Sequence, residues 1–525
     1  MHKTRKKFSA VLILATVLAM GLAATTYGQI DTGTILGTVR DQSGAVVPQA
    51  KVTLTNSGTG VSSSGQTNSE GNYAFPAIKS GTYQVIIQAN GFKKYVRSGV
   101  KLSIQQSAEI DVALETGDIN QSVEVTGEAP ILQTQESSVG QTVSGQTIND
   151  LPLNGRDWTY LARLSAGVNL PQQGARAAGQ FAANGMRPAQ NNYMIDGIDN
   201  NTSSVDFLNG TAYVIKPPVD AIGEFKIQTN SFSAEYGRAG GAVLNASMKS
   251  GTNNFRGTLW EFLRNEKFDA NSFRNNLTQI TRPDGTIGSV QRPKYRQNQF
   301  GGALGGPIWK NKTFFFGDFE GTRIRQGRSI VASVPTALQR SSGYTDFADL
   351  ITRNGNRTRG TDLLGRTVLI GQIFDPATTR RVTSGQVDPV TGRTATGTGF
   401  VRDPFANNRI PASRLSPSAI KLMNLFPNEN VIQAGTQTNN YNTVRNLTDD
   451  ANSFDVRIDH NFSEKDHIFG RYSWADIVRF RPAPFEGAAD GGGYGDGNET
   501  VRTSGLAIAI RTRSRRPCSM KCGSV

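Results

Sequence analysis

Alternation of apolar and polar residues is clearest in the last quarter of the chain, between residues 453 and 477. The apolar positions are Phe454, Val456, Ile458, His460 and Phe462 before the polar letters SEKD, and Ile468, Gly470, Tyr472 and Trp474 after them. Two strands with this period of two, joined by a polar turn, form a β-hairpin. An apolar outer face with aromatic residues, opposite a polar inner face, is typical of a transmembrane β-barrel. His460, near the turn, is predicted to lie at the membrane interface rather than to bind a ligand.

Two more stretches of this half show the same period. Residues 254–265 predict a strand, and residues 299–325 predict a hairpin whose turn lies between Ile308 and Phe314. The residues between the hairpins, 330–450, are rich in loop-forming letters, with a short helix predicted after the cap residue Ser416. Residues 251–510 therefore predict the N-terminal part of a barrel, with about five to eight strands at about ten residues each.

The first third of the chain carries short strands without a helical pattern. Residues 33–41 alternate, turn letters follow, and residues 51–56 alternate again through Val52 and Leu54. Similar patterns continue to residue 115. Several short strands separated by Gly- and Pro-containing turns predict a β-sandwich over residues 30–115.

The middle of the chain is rich in Asn, Gln and Gly. Ile222, Phe225 and Ile227, with polar residues between them, predict a strand that has one buried face. Gly240 and Gly241 follow this strand and predict a close backbone approach or a bulge.

The N-terminus has the pattern of an export signal. Residues 1–8 carry four Lys or Arg and no acid, and an apolar run over residues 10–24 follows. This order, with the small residues Thr26 and Gly28 near the end, predicts a secretory signal peptide over residues 1–28, cleaved before Gln29. The run is shorter than the roughly 20 residues of a spanning helix. No Cys stands directly after the run, where a lipoprotein would carry its lipid anchor.

The net charge of +14 is concentrated at the two ends of the chain. Four positive charges lie in the signal segment and five in residues 511–525, which leaves +5 over residues 30–510. Because this remainder forms no basic stripe, nucleic acid is not an expected partner. Residues 511–525 form an atypical basic tail without acids, and a shift of reading frame would explain it.

Candidate catalytic and metal chemistry is sparse. Both Cys, Cys518 and Cys522, lie in the basic tail, and the chain has three His, which argues against zinc or thiol chemistry upstream. Phosphate-binding, nucleophile-elbow and HExxH motifs are absent from the sequence. Asp196 and Asp199 do not begin a calcium loop, because Phe207 holds the twelfth position where Glu is required. We predict no enzyme activity, no cofactor, no metal and no catalytic residue.

The sandwich residues carry a spaced pattern over residues 37–54, followed by the matching letters Glu70, Gly71, Tyr73, Phe75, Gly81, Tyr83, Gly91 and Phe92. This pattern resembles the carboxypeptidase regulatory-like domain, which is grouped with carbohydrate-binding-like sandwiches. A zinc carboxypeptidase requires His and Glu ligands, and residues 30–115 contain no His. The resemblance therefore implies an accessory or spacer module rather than a peptidase.

Three phrases of the middle region are specific in combination: LPLNGR (151–156), MIDG (194–197) and residues 224–253. They resemble the plug and first barrel strand of TonB-dependent outer-membrane receptors, in particular the Oar-like branch with an N-terminal regulatory-like sandwich. The resemblance implies a plug over residues 120–250, lodged in a barrel lumen. The implied fold is mainly β: an N-terminal β-sandwich, a mixed α/β plug and a partial, unclosed antiparallel transmembrane β-barrel.

In this family, a coupling protein of the inner membrane pairs with an extended segment ahead of the plug by β-augmentation. The candidate contact residues here are Val123, Glu124, Val125, Thr126 and Gly127. A plain linker strand is the alternative. The resemblance implies a receptor or transporter in the outer membrane of a Gram-negative cell, which moves an unidentified substrate with energy from a TonB-type coupling protein. Outer-membrane lipid would be its other partner.

Two other functions stay open at this point. The sandwich could serve an adhesion or carbohydrate-binding surface protein that the barrel anchors. The chain could also be a non-functional, C-terminally truncated product, because barrels of this class have about 22 strands and residues 251–510 supply fewer. Unpaired strand edges are unfavourable in lipid.

Overall fold

The computed structural model describes residues 32–125, 138–153, 155–169, 181–202, 213–281, 285–431, 439–490 and 497–512. The predicted signal segment, residues 126 and 127 of the candidate coupling segment, and both Cys lie outside these ranges. The signal peptide and the origin of the basic tail therefore stay predictions. Within the described ranges, no helix combines the length and the apolar character needed to cross a membrane.

Two packed sheets form the predicted β-sandwich. Its strands are β1 (Thr32–Asp41), β2 (Lys51–Asn56), β3 (Ser62–Gln66), β4 (Asn72–Lys79), β5 (Gly81–Gln88), β6 (Lys94–Leu102), β7 (Ser107–Glu109), β8 (Val112–Leu114) and β9 (Ser122–Val125). One sheet has the order β4-β1-β7, with β8 also paired to β1, and the other has the order β3-β2-β5-β6-β9. Alternate residues of β1 and β5, such as Ile35, Val39 and Val85, are buried in the core. The sandwich is confirmed.

A small mixed domain, the plug, follows. It contains β10 (Val139–Ser144), α1 (Gly145–Asp150), β11 (Val168–Asn169), β12 (Ala182–Ala183), β13 (Asn192–Ile195), β14 (Ile198–Asp199), β15 (Ile222–Asn230) and β16 (Val243–Met248), with 3₁₀ turns at Trp158–Leu164, Pro188–Gln190 and Val219–Ala221. The main sheet has the order β10-β15-β16-β13-β14, and β13 runs parallel to β16. Helix α1 begins after Ser144, whose hydroxyl accepts a hydrogen bond from the N–H of Thr147.

Strand β15 differs from the predicted one-sided strand. Residues 225–229 are all buried, so both faces of the strand are covered. On the face predicted to be polar and exposed, Nζ of Lys226 donates to the carbonyl of Gln105 in the sandwich at 2.7 Å. The prediction was wrong because the sandwich packs against this second face. The predicted close approach is confirmed at Gly241, where a Cβ would lie 2.3 Å from Oδ1 of Asn191.

A six-stranded antiparallel sheet dominates the second half of the chain, in the order β17-β20-β21-β26-β27-β28. The strands of this half are β17 (Arg256–Asn265), β18 (Gln279–Thr281), β19 (Ile287–Ser289), β20 (Tyr295–Trp309), β21 (Thr313–Ala332), β22 (Thr358–Thr361), β23 (Thr367–Leu369), β24 (Phe374–Val382), β25 (Gly399–Pro404), β26 (Tyr441–Asn461), β27 (Asp466–Arg481) and β28 (Gly497–Thr512). The six strands of the sheet fall within the predicted range of about five to eight. In the described residues the sheet stays open, with β17 and β28 at its edges.

The two faces of this sheet differ as the alternation predicts. Val456 and Ile458 of β26 are 45% and 46% exposed on the outer face, whereas Asp455, Arg457 and Asp459 are buried on the inner face. The inner face is buried because the plug and one end of the sandwich lie against it. The predicted division into an apolar outer face and a polar inner face is confirmed.

Both predicted hairpin turns are present. The first joins β20 to β21 through residues 310–312, and the second joins β26 to β27 through residues 462–465. Nδ1 of His460, beside the second turn, lies 2.8 Å from Oγ1 of Thr313, and its ring packs edge-on against Phe462.

A short link joins the plug to the sheet between the end of β16 and the start of β17. Gly251 lies in this link, where a Cβ would stand 2.4 Å from the carbonyl oxygens of both Gly306 and Phe315. The close approach requires glycine, since any side chain would force the link away from the sheet.

The residues between β21 and β26 form a folded unit, which we call the outward domain (residues 333–431). The outward domain contains the helices α3 (Ala337–Ser341), α4 (Asp349–Thr352) and α5 (Pro417–Met423). One earlier helix, α2 (Phe273–Leu277), lies in the connection between β17 and β20. Ser416 caps α5 as predicted, because its hydroxyl accepts a hydrogen bond from the N–H of Ala419.

The predicted loop over residues 330–450 was too long. Strand β26 begins at Tyr441 and pairs with the end of β21. This early part of β26 lacks apolar alternation, and ion pairs accompany the backbone pairing instead. Nη1 of Arg325 is 2.6 Å from Oδ1 of Asp450, and Nε of Arg479 is 2.7 Å from Oδ2 of Asp449.

Candidate functional site

Asp196 of the MIDG phrase lies in the turn between β13 and β14. Its φ of 53° is one that Asp tolerates better than most residues, since its short side chain forms local hydrogen bonds. Oδ1 of Asp196 accepts a hydrogen bond from the N–H of Met248 at 3.0 Å. The N–H of Gly197 donates to Oδ1 of Asn245 at 3.1 Å. Strand β16 thus fixes the turn and leaves the carboxylate of Asp196 facing the six-stranded sheet.

Two arginines of the sheet meet this carboxylate. Nη1 of Arg457 is 2.8 Å from Oδ1 of Asp196, and Nε of Arg471 is 2.9 Å from Oδ2. Arg457 on β26 and Arg471 on β27 are direct partners in register, so two like charges lie side by side on the inner face. A carboxylate between them offsets their repulsion. The side chains of Arg457 and Asp196 are both 0% exposed.

The ion pairs continue into the sandwich. Nε of Arg457 is 2.9 Å from Oδ2 of Asp459, and Nζ of Lys79, at the end of β4, is 2.7 Å from Oδ1 of Asp459. The guanidinium of Arg457 also lies 4.2 Å from the centre of the Phe469 ring. Five residues form this network, which we name the charge chain: Lys79, Asp459, Arg457, Asp196 and Arg471. The charge chain joins sandwich, sheet and plug.

The charge chain does not follow from the sequence patterns alone. They predict a turn at Asp196 and inward-facing polar residues at Asp455, Arg457 and Asp459. The useful signal is the run of charges on the inner face of β26, since buried charges require partners once a domain covers them. Local pattern does not identify the partner, because Asp196 and Arg457 are 261 positions apart.

The LPLNGR phrase contacts the sheet near its other edge. The guanidinium of Arg156 lies 4.0 Å from the ring centre of Phe262 on β17 and is ion-paired with Asp220 of the plug. Nε2 of Gln299 on β20 donates to the carbonyl of Gly155 at 3.4 Å. Two of the phrases that are specific in the sequence therefore contact the barrel sheet at separate places.

The candidate coupling segment lies at the edge of the sandwich. Residues 123–125 belong to β9, which pairs in parallel with β6 and places Val123 beside Tyr95. The N–H of Lys94 donates to the carbonyl of Gln121 at 2.8 Å. Residues 126 and 127 lie outside the described ranges, so the position of the whole segment is not defined.

A cavity of about 120 Å³ lies beside the sandwich end of the charge chain. Charged and polar side chains line it, among them Lys79, Asp459, Glu464, Lys465 and His467. Oγ of Ser64 in β3 donates to Oε2 of Glu464 at 3.0 Å, across the same boundary. Among the residues that the structure describes, no three His, Cys, Asp or Glu are grouped as a metal site would require.

The outward domain has ion pairs of its own. Nε and Nη2 of Arg380 donate to the two carboxylate oxygens of Asp388 at 2.7 Å each, and Nη1 donates to Oδ2 of Asp403 at 2.7 Å. These hydrogen bonds from Arg380 hold the pKa of Asp388 well below its usual range. The same hydrogen bonds raise the pKa of Arg380. This network fixes the hairpin of β24 and β25.

Three family models match consecutive parts of the chain. They are the carboxypeptidase regulatory-like domain over residues 34–115, the TonB-dependent receptor plug domain over residues 117–243, and the outer membrane beta barrel domain over residues 247–514. The last match alone covers just over half of the 525 residues.

The chain is also similar to individual proteins. It is 27% identical over 343 residues to the TonB-dependent transporter Oar of Myxococcus xanthus, a match that covers 63% of this chain and 30% of Oar. An enterobactin-bound mutant of the ferric enterobactin receptor PfeA of Pseudomonas aeruginosa matches with 11% identity and a TM-score of 0.37, over 72% of this chain and 39% of that chain. The outer membrane transporter YddB of Escherichia coli matches with the same identity and TM-score, over 72% and 37%. The chain thus spans between 30% and 39% of the length of these relatives.

A plug held against the polar inner face of an antiparallel sheet, whose outer face is apolar, is the arrangement found in plugged outer-membrane barrels. The chain belongs to the TonB-dependent outer-membrane receptors. Its three matched domains occur in the order that the Oar-like resemblance predicts. Members of this family are receptors and transporters, not enzymes.

Proposed function

We propose that this protein moves a substrate across the outer membrane, with energy that a TonB-type coupling protein supplies from the inner membrane. The observation that carries the proposal is the seat of the plug, where Asp196 is held between Arg457 and Arg471. A plug held by buried ion pairs blocks passage through the lumen until those ion pairs rearrange.

The free energy needed to break the ion pairs of the plug supports an energy source outside this protein. Removing one partner from a buried ion pair costs about 3–5 kcal/mol, and Asp196 has two such partners. A ligand bound outside shifts the plug only by its difference in affinity between the two states. The sequence carries no phosphate-binding motif that would supply energy locally. A pull on the plug from the periplasmic side fits these requirements.

The proposed contact for the coupling protein is the segment over residues 123–127. Its described part is extended and lies at a sheet edge. An extended edge segment can be recognised through its backbone N–H and C=O groups, whatever its side chains. Val123 and Val125 favour the extended conformation because both are β-branched.

Outer-membrane lipid is the proposed surrounding of the sheet. Leu259 on β17 is 92% exposed, and Leu506 on β28 is 69% exposed. Ile508 and Ile510 continue the same exposed apolar row on β28. Rows of this kind are unfavourable in water and are expected where strands face lipid.

Binding of the host coupling protein tests the proposed contact. The purified full chain in detergent is titrated with the periplasmic domain of that protein. Val125→Pro removes a backbone N–H from the segment and is expected to weaken binding about tenfold or more. Val125→Thr keeps the N–H and the strand propensity, and is expected to change the affinity less than about twofold. Equal affinities for the two variants would contradict a contact that uses the N–H of Val125.

Energy-dependent transport is tested in the host. A strain whose gene lacks the codons for residues 123–127 is compared with a strain that lacks the whole gene. We expect the same growth or uptake defect in both strains, with the barrel of the first still present in the outer-membrane fraction. Wild-type behaviour of the first strain would rule out energy coupling through the segment.

Export through a cleaved signal is part of the proposal. The apolar run over residues 10–24 and the small residues before Gln29 support cleavage at that point. Mass spectrometry of the mature N-terminus is expected to give a chain that begins at Gln29. A mature chain that retains residues 1–28 would contradict cleavage.

A further inference from the structure

The candidate coupling segment already has a strand partner within this chain. Strand β9 forms the last strand of the sandwich sheet β3-β2-β5-β6-β9 and runs parallel to β6. Tyr95 of β6, which is aligned with Val123, also packs against the sandwich core. The pairing is therefore continuous with a folded domain.

The register shows which backbone groups this pairing uses. The N–H of Lys94 donates to the carbonyl of Gln121. In a parallel ladder, the next N–H on the same side of β6 is that of Val96, and it faces the carbonyl of Val123. The N–H and C=O of Val123 thus face β6, and those of Ser122 and Glu124 face away.

The hold on the segment is weak enough to be reversible. Strand β9 has only four residues, and parallel pairing is slightly less stable per residue than antiparallel pairing. The side chains of Val123 and Val125 are half-buried, and that of Glu124 is exposed. Short edge elements with little buried apolar surface belong to the parts of a protein that open most readily.

We propose that the sandwich edge at β6 is a docking site for the coupling segment, which keeps it occupied until the coupling protein displaces it. This inference rests on the proposed function, because it takes residues 123–127 as the contact of the coupling protein. The coupling protein then gains the segment by strand exchange: β9 leaves β6 and pairs with a strand of the partner. The sandwich therefore competes with the coupling protein for β9, and the strength of the β6–β9 pairing determines how readily the coupling protein binds.

A disulfide across the two strands tests the exchange. The full chain carries Val96→Cys and Glu124→Cys, with Cys518→Ser and Cys522→Ser to remove the natural thiols. Positions 96 and 124 are direct partners, and neighbouring strands are about 4.8 Å apart, a spacing that a disulfide can bridge. The oxidised chain is expected to bind the periplasmic coupling domain about tenfold more weakly than the reduced chain.

A matched control places the disulfide elsewhere in the same sheet. Thr55 and Ser62 are direct partners on β2 and β3, with their hydroxyl oxygens 2.9 Å apart. The Thr55→Cys, Ser62→Cys chain in the same background is expected to bind equally well when oxidised and reduced. Loss of binding in both oxidised chains would mean that sandwich rigidity, not release of β9, governs binding, and would overturn the inference.

A second variant changes the affinity in the opposite direction. Val96→Pro removes the N–H that faces β9, whereas the ladder with β5 uses the groups of Tyr95 and Arg97. We expect several-fold tighter binding of the coupling domain to this variant, and unchanged binding to Val96→Thr. Weaker binding of Val96→Pro would overturn the inference.

Other outcomes separate the inference from the proposed function. Equal affinity of the oxidised and reduced Val96→Cys, Glu124→Cys chain would show that the partner adds its strand to the outer edge of β9, so the exchange is wrong but the contact stands. Failure of these two Cys to form a disulfide in the folded chain would show that the register is absent. Failure of the wild-type chain to bind the coupling domain would overturn the proposed function as well.

Discussion

The charge chain and the outward domain use the same pair of residue types in different ways. In the charge chain, Arg457 binds Asp196 of another domain, 261 positions away, with no exposure of either side chain. In the outward domain, Arg380 binds Asp388, which is eight positions away, and the side chain of Arg380 is 17% exposed. One network joins domains, and the other holds a single hairpin.

This difference determines what each network can do. A buried ion pair between domains is strongly unfavourable to break singly, yet it contributes little net stability over an apolar contact. Its value lies in specifying how the domains fit together. A local, partly exposed network supports only the loop that contains it. We therefore expect variants of the charge chain to change how the plug is held, and variants of the outward domain to change only local stability.

The largest effect is expected at Arg457. Arg457→Leu removes the cationic partner of Oδ1 of Asp196 and one cationic partner of Asp459, so unfolding should become easier by about 3–5 kcal/mol. Thermal unfolding in detergent and protease cleavage of the plug measure the change. Arg502→Leu is the control, since Arg502 pairs with Asp476 at 2.7 Å but is 75% exposed, and it is expected to have almost no effect. Equal behaviour of both variants would contradict a role for the charge chain.

Asp196→Asn is expected to have a smaller effect. Asn tolerates the positive φ at this position and can still accept the hydrogen bond from Met248. Only the charge is lost, which leaves Arg457 and Arg471 side by side, and we expect about 2 kcal/mol of destabilisation.

A double-mutant cycle with Arg471→Leu isolates this interaction. If Asp196 acts through Arg471, the two substitutions together should cost clearly less than the sum of the two alone. Additive effects would show that the ion pair between Asp196 and Arg471 does not stabilise the plug seat.

A third, weaker effect is expected at the sandwich end. Lys79→Met removes the ion pair to Asp459, which keeps Arg457 as its partner. Because the Lys79 side chain is partly exposed, we expect about 1 kcal/mol or less. Hydrogen exchange of β4 should become faster, whereas exchange in the plug should not change. Lys51→Met on the exposed side of β2 serves as the control.

The smallest effect is the response of the outward domain to acid. Arg380 holds the pKa of Asp388 below the ordinary 3.8. The stabilisation that the charged Asp388 gives the folded domain is therefore fully present above about pH 4, and it is lost only as the pH falls further. Protease resistance of residues 333–431 should therefore be equal at about pH 7 and pH 5. In Arg380→Leu, the pKa of Asp388 moves back toward its ordinary value, so this stabilisation is missing at every pH above that value. The variant's resistance should therefore be lower than that of the wild type at pH 7 and at pH 5 alike, and the difference between the two chains should shrink below about pH 4. Loss of resistance in the wild-type domain at pH 5 would contradict this account.

The sequence predicts the features of this fold that repeat locally. Alternation identifies the hairpin of β26 and β27 and its outer face, since a strand shows its two environments in every pair of residues. It misses the start of β26 at Tyr441, because Asp449 and Asp450 lie opposite arginines instead of following an apolar pattern. The two-sided burial of β15 and the partners of Asp196 arise from contacts between domains, which no local window contains.

The link between plug and sheet limits how far the plug can travel. From the end of β16 at Met248 to the start of β17 at Arg256, a fully extended backbone reaches about 28 Å. The apolar band of an outer-membrane barrel is about 25 Å tall. The released link could therefore reach about as far as the barrel wall is high, but Gly251 holds it against the carbonyl oxygens of Gly306 and Phe315. While this contact is kept, only the three steps from Met248 to Gly251, about 10 Å when extended, separate the end of β16 from the sheet.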